Sequence, residues 1–370
     1  MKETKLICEI CGNEYEPSEE HVVNGMHMCQ DCFELGTVTC RHCGERVLVD
    51  DTVDDDLCEG CYETYYTRCD GCDRVISLDE AYYRGDDYDR EYPYCHDCYH
   101  EHEDDQIIHD YYYKPEPIFY GTGGRYYGVE LEIDESGECD CCAEKILGVA
   151  NNTNNHMYIK HDGSLDDGFE MVSHPMTLDY HLHNMPWQKI MQKAIELEYR
   201  SHQARTCGLH VLIGRKGLGD TYEEQEATIA KILYFYEKFW NEILKFSRRT
   251  EAQANRWARR YGGGLINPKE TLKHAKSSCL GRYVAVNLEN ENTVEMRIFR
   301  GTLKYSTFAA TLQMVDEICD VAVSLSDEEF QNLTWLDFVQ RITSDKQELI
   351  DYLKVKRLYV NEPVTANEEV

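Results

Sequence analysis

The 370-residue sequence has no uninterrupted apolar run of roughly 18 residues or more, so no membrane-spanning helix is expected. It is short of positive charge, with 38 Lys and Arg against 69 Asp and Glu and a formal net charge of −31. Binding to a phosphate backbone or an anionic membrane surface needs clustered Lys and Arg, so both are disfavoured as partners. The opening run MKETKLICEICG lacks the apolar stretch of a secretory signal, which points to a reducing, cytoplasmic compartment. No G-x-x-x-x-G-K-[ST] loop and no G-x-G-x-x-G fingerprint occurs, which removes two common glycine-rich phosphate cradles.

Cysteine is abundant by contrast, with 18 residues. In a reducing compartment these are metal ligands or buried thiols rather than disulfides. Twelve fall into C-x-x-C pairs: Cys8/Cys11, Cys29/Cys32, Cys40/Cys43, Cys58/Cys61, Cys69/Cys72 and Cys95/Cys98. CEICG, CRHCG and CDGCD open three units, and CQDCF, CEGCY and CHDCY close them. The repeat favours consecutive pairing with one tetrahedral Zn²⁺ per unit, about three in all, while cross-brace pairing stays open. His21, His27, His42 and His96 are alternative ligands that units already holding four cysteines do not require. Units this short have too little core to fold without metal, so the zinc is expected to be structural. Residues 1–105 carry 8 Lys and Arg against 29 Asp and Glu. Such a surface suits a basic peptide or the basic face of a protein partner.

The spacing predicts zinc-binding repeats over 1–105, a linker over 106–124 rich in Pro and Gly, a larger domain over 125–325 and a helical tail over 326–370. Strand-like runs fall at 126–134, 156–161, 169–173, 208–213, 282–288 and 293–299. Helical periodicity marks 178–199, 222–246 and 306–323, and capping-box patterns begin at Ser326 and Ser344. The short ENEN turn between the last two strands reads as an antiparallel hairpin, so the class is α+β rather than doubly wound.

In RYYGVELEID, residues 125–134, Val129, Leu131 and Ile133 alternate with Glu130, Glu132 and Asp134. One face of this strand meets a core; the other sets carboxylates roughly 6.5–7 Å apart, which repel unless water or a cation takes up the field. Glu170 stands on a second strand, and Glu295 with Arg297 on one face of a third. If Glu130, Glu132, Glu170 and Glu295 converge, they form an oxygen-rich site for Mg²⁺ or Mn²⁺. Lys160, Asp162, Ser164, His210 and Asn287 are further polar residues that strand logic does not require. Arg215 and Lys216 follow the strand of His210, and Arg248 and Arg249 open a basic segment, residues 245–276, with 9 Lys and Arg against 2 Glu. These are candidate contacts to an anion. Cys139, Cys141 and Cys142 are a candidate metal-binding trio, but a loop of free thiols is the simpler reading.

GVELEID, KHDGSLDDGFEMVSHP, CGLHVLIG and NTVEMRIFRGTL, in this order, resemble the amidoligase family, a distant branch of the carboxylate–amine ligases, the wider group to which glutamine synthetase belongs. The resemblance covers about residues 125–320 and leaves the cysteine repeats outside it. It implies an antiparallel-sheet, glutamine synthetase-like fold that binds ATP and divalent cations. It further implies Glu130, Glu132, Glu170 and Glu295 as metal ligands, His210 near the nucleotide phosphates and Arg297 as a phosphate or transition-state contact. The expected activity is ATP-dependent joining of an acid to an amine through an acyl phosphate, with peptides or proteins among the candidate substrates. A non-catalytic zinc-repeat adaptor and a metal-dependent phosphohydrolase are the competing readings.

Overall fold

The computed structural model describes residues 5–54, 56–83, 92–99, 106–262 and 267–360. The chain divides into two compact units, Met1–Gln106 and Ile107–Val370. Among the described residues no helix is long and apolar enough to cross a membrane.

The first unit is a run of short antiparallel hairpins. Leu6–Ile7 pairs with Glu14–Tyr15, Thr37–Thr39 with Arg46–Leu48, and Tyr66–Arg68 with Val75–Ser77. The first C-x-x-C of each repeat occupies the hairpin turn. The residue after it takes a left-handed backbone, with φ +74° at Gly12, +76° at Gly44 and +60° at Asp73. Glycine adopts that conformation without a Cβ penalty, and Asp tolerates it better than most residues. The second pair opens a short helix in the first two repeats, Gln30–Gly36 and Glu59–Tyr65. Each repeat has its own small cluster of buried residues, such as Tyr15, Val23 and Met28 with Cys8 in the first.

The second unit is α+β. Its strands are β1 (Ile108–His109), β2 (Tyr127–Ile133), β3 (Met157–Lys160), β4 (Phe169–Ser173), β5 (Gly208–Gly214), β6 (Val286–Asn287) and β7 (Thr293–Arg300). They form one seven-stranded sheet in the order β1-β3-β4-β2-β5-β7-β6. Every pair is antiparallel except β1 with β3. Val129, Leu131 and Ile133 of β2 share a core with Leu209, Val211, Val294, Met296 and Ile298. Helices α1 (Asp140–Ala150), α2 (Leu178–His183), α3 (Trp187–Glu196), α4 (Tyr222–Lys238), α5 (Trp240–Ser247) and α6 (Tyr305–Ser324) contribute to that core.

Several boundaries differ from the sequence pattern. Residues 106–124 are not a free linker: Ile108 and His109 join the sheet edge, and Tyr120 donates its N–H to the Pro175 carbonyl and accepts from the Thr177 N–H at its own carbonyl. The tail from 326 is not separate either, because Phe330, Phe338, Leu349 and Leu353 lie in the common core; residues 361–370 fall outside the described set. The periodicity over 222–246 is broken at Phe239 (φ −105°, ψ 32°), where neither Pro nor Gly gives warning. There the ring packs edge-on against Phe235 and Trp335, so tertiary packing sets the break. The last helix begins at Gln347, not at Ser344, and lacks a side-chain cap. Its start is pinned by Lys346, whose buried Nζ lies 2.7 Å from Asp316, 2.8 Å from Glu317 and 3.1 Å from Asp320.

Candidate active site

Sheet register builds the site. Lys160 pairs with Glu170, and Glu170 with Glu132, so one row runs across β3, β4 and β2 on a single face. One step along, Glu130 stands opposite His210, and Glu295 stands opposite both Leu212 and Asn287. Directly paired residues share a face in an antiparallel sheet. The four carboxylates from β2, β4 and β7 therefore converge with His210 on the face opposite Leu131 and Ile133. Glu132, Glu170, His210 and Glu295 are each only 4% exposed. This is no solvated strand face.

A bulge aims the last members. Leu209 pairs with Phe299 but Val211 pairs with Met296, so β7 carries an extra residue opposite His210. A bulge bends a strand and redirects its side chains. Here Arg297 Nη1 reaches Glu295 Oε1 at 2.5 Å, while the carbonyls of Ile298 and Phe299 accept from Arg249 Nε and Nη2 at 3.0 and 3.3 Å. Arg297 Nε and Arg249 Nη1 are buried without a hydrogen-bond partner.

His210 Nδ1 lies 3.3 Å from Glu130 Oε2 and 3.5 Å from Glu295 Oε1; Nε2 lies 3.6 Å from Glu132 Oε1. Burial, then the adjacent Arg297, hold its pKa down to about 3, so the imidazole is neutral and these contacts are not ion pairs. Glu132 Oε2 accepts from the backbone N–H of Gly208. A Cβ at Gly208 would come 2.6 Å from His210 Nε2 and 3.2 Å from Arg249 Nη2, so only glycine leaves room there. Lys160 Nζ bridges Glu170 Oε2 at 3.5 Å and the Tyr111 carbonyl at 3.2 Å. Asn287 Nδ2 donates to Glu295 Oε2 at 2.9 Å.

The cluster has more acid than its neighbours neutralise. Glu130, Glu132, Glu170, Glu295 and Asp162 stand together against the cations Lys114, Lys160, Arg249 and Arg297. Burial pushes the Glu132 carboxyl up to about 7, with the charge of Asp162 adding to it. Burial and then Glu130 raise Glu170 well above the usual carboxylate range, and burial raises Glu130 against the pull of Lys160 and Arg297. A divalent cation reverses this, because it stabilises the ionised form of every oxygen it touches. The donor set suits a hard cation: ligand atoms of Glu130, Glu170 and His210 lie within 4.8 Å of one another, and Glu132 and Glu295 border them through His210.

Other sequence candidates go elsewhere. Arg215 lies five residues beyond His210, roughly 16 Å along a strand. It donates to the Leu288 and Asn290 carbonyls at 3.2 and 3.3 Å and approaches Glu226 at 3.5 Å, so it ties down the β6–β7 loop. Lys216 follows it and is exposed. Arg248 donates to the Arg300 and Gly301 carbonyls and lines a separate cavity. Asp134 is taken up by a loop instead. It accepts from the backbone N–H groups of Glu135, Asp166 and Asp167 and from Thr206 Oγ1, and these bonds overcome burial and hold its pKa below the ordinary value. Gly208 and the Tyr111 carbonyl are site groups that the sequence pattern misses. A glycine opening a strand was the only local signal for the first, and a backbone carbonyl has none.

In the first unit, the Sγ atoms of Cys8, Cys11, Cys29 and Cys32 lie within 4.8 Å of one another, as do those of Cys40, Cys43, Cys58 and Cys61, and of Cys69, Cys72, Cys95 and Cys98. The grouping is consecutive, not cross-braced. Sγ–Sγ separations of 3.9 Å for Cys11–Cys29, 4.0 Å for Cys43–Cys58 and 3.8 Å for Cys72–Cys95 match the roughly 3.8 Å edge of a tetrahedron with 2.3 Å Zn–S bonds. The clusters are thus able to hold zinc.

Neither a family model nor a curated protein sequence matches the chain. Among solved structures, a bifunctional glutathione synthetase from Pasteurella multocida aligns with 63% of this chain and 46% of its own, at TM-score 0.34 and 14% identity. The ligase PafA, in its complex with the prokaryotic ubiquitin-like protein Pup, aligns with 64% of this chain and 62% of its own, at TM-score 0.30 and 8% identity. The chain therefore spans less than two thirds of either. Scores this low carry no assignment of activity.

Proposed function

We propose that the second unit is an ATP-dependent carboxylate–amine ligase. The carrying observation is the convergence of Glu130, Glu132, Glu170 and Glu295 with neutral His210 and two under-used guanidinium groups on one buried sheet face. In this reading the four glutamates hold Mg²⁺ or Mn²⁺, with His210 completing or orienting the set. The ion, when bound, neutralises phosphate charge and polarises the γ-phosphoryl group of ATP. Arg297 and Arg249 offer the buried Nε–H and Nη1–H donors to the phosphoryl oxygens as charge moves onto the leaving group.

A carboxylate is a poor electrophile. Attack of its oxygen on Pγ breaks the bond to ADP and forms an acyl phosphate. The amine nitrogen then attacks the acyl carbon, the C–O bond to phosphate breaks, and an amide and phosphate leave with loss of the amine proton. Burial of Glu132, Glu170, His210 and Glu295 limits water, which competes with the amine. The zinc repeats, with their acid surplus, are the part suited to hold a basic peptide, as substrate or as partner.

Hydroxylamine serves as a generic amine. With ATP, Mg²⁺ and a panel of amino and dicarboxylic acids, the full chain should release ADP and phosphate and form a hydroxamate. Glu132→Gln should lower turnover at least about 100-fold with zinc content and folding unchanged. Unchanged turnover in Glu132→Gln overturns the site. Phosphate release that needs no acid or amine assigns a phosphohydrolase instead.

A further inference from the structure

A cavity of about 510 Å³ lies in the second unit apart from the acid cluster, and it is cationic in a chain of charge −31. Arg200, His202, Arg248, Lys304 and Lys356 line it, and its lining contains no Asp or Glu. Among the described residues none of these side chains has an acidic partner within salt-bridge distance. The repulsion is felt: burial and then Arg300, Arg248 and Lys356 drive His202 down to about 4, and burial with Arg248 and Lys245 lowers Lys356. His202 Nδ1 is buried without a hydrogen-bond partner.

The arrangement is built rather than incidental. Arg248 has a left-handed backbone, φ +67°, at the end of α5, and its guanidinium is clamped on the Arg300 and Gly301 carbonyls. That turn sends Arg248 to the cavity and its neighbour Arg249 to the bulge beside Glu132. Ser201, next to His202, donates from Oγ to the Glu132 carbonyl, so the wall of the cavity is tied to the acid strand. Tyr199, Tyr352 and Leu303 give the cavity an apolar side, and Thr302 and Thr307 line it too. Clustered cations without counter-charge are costly until an anion joins them.

We infer that this cavity is a second ligand site, for a small organic polyanion bearing phosphates or carboxylates. Its size is that of a metabolite pocket. A nucleic acid is disfavoured because the chain as a whole carries a formal net charge of −31. The site does not depend on the ligase reading, since its lining shares no residue with the acid cluster.

The test is calorimetric titration of the full chain with pyrophosphate and, separately, with tricarballylate, without added divalent cation. One anion per chain should bind, more weakly as salt rises. Lys304→Gln and Lys356→Gln, with exposed and half-buried side chains, should each weaken binding about tenfold, while Lys269→Gln on a different helix and Glu132→Gln should not. Binding of pyrophosphate alone assigns a phosphorylated ligand, and of tricarballylate alone a polycarboxylate. Binding of neither, or binding indifferent to both cavity lysines, or binding lost in Glu132→Gln, overturns the site.

Discussion

Protonating His181 should loosen the strand that carries Glu130 and Glu132. This side chain has no exposure. Its Nε2–H donates to the Tyr127 carbonyl, at the start of β2, at 3.0 Å, and its Nδ1 accepts from Trp187 Nε1–H at 3.2 Å. An indole nitrogen only donates, so Nδ1 must be unprotonated and the tautomer is set. A proton on Nδ1 would oppose the indole N–H in a fully buried site. Burial accordingly lowers the pKa from 6.5 to about 4. Between those values the unfolded chain binds a proton that the folded chain refuses, so stability falls as pH falls from 6.5 towards 4 and changes no further below. At 1.36 kcal/mol per unit the window costs about 3 kcal/mol. His181→Gln keeps a donor for Tyr127 and an acceptor for Trp187 but does not titrate. Urea unfolding of the second unit at pH 7, 6, 5 and 4 should show the wild type losing up to about 3 kcal/mol more than the variant. His174, His202 and His210 titrate in the same direction in both proteins and cancel in the comparison. Parallel pH profiles would refute the argument.

Two further outcomes are expected. Purified protein should hold three zinc ions, and Cys40→Ser should hold two, read by metal release with a mercurial and a colorimetric chelator; a strong chelator should unfold the first unit by proteolysis while the core of the second persists. Gly168→Ala would place a Cβ 2.0 Å from the Ile133 carbonyl oxygen and 2.6 Å from Asp134 Cα, beside the loop that Asp134 anchors. It should cost about 3 kcal/mol and lower the melting temperature by about 6–12 °C, with zinc content unchanged.

Much of the fold was legible because its signals are local. The six C-x-x-C pairs declare themselves by spacing, and the alternation from Val129 to Ile133 declares a strand with one apolar face. The ENEN turn likewise announces β6 and β7 as a hairpin. Arg215 and Arg248 were not separable from Arg249 on the same grounds. All three are basic residues near element ends, and the carbonyls that capture each come from distant chain. The segment around Ile108 looked like linker because two residues are too few to show a period.

The sequence by itself determined which segments alternate, that twelve cysteines stand in six C-x-x-C pairs and where acid outweighs base. Those properties depend on residues within a few positions of one another. Only the tertiary structure decided that Glu132 faces Glu170 and Lys160, that the Asp134 carboxylate anchors a loop, and that a bulge on β7 turns Arg297 onto Glu295 and two carbonyls onto Arg249. Strand register and bulges are set by packing between segments up to about 165 residues apart, as Glu130 and Glu295 are. No local pattern encodes that alignment, and a shift of one residue would send every carboxylate to the other face.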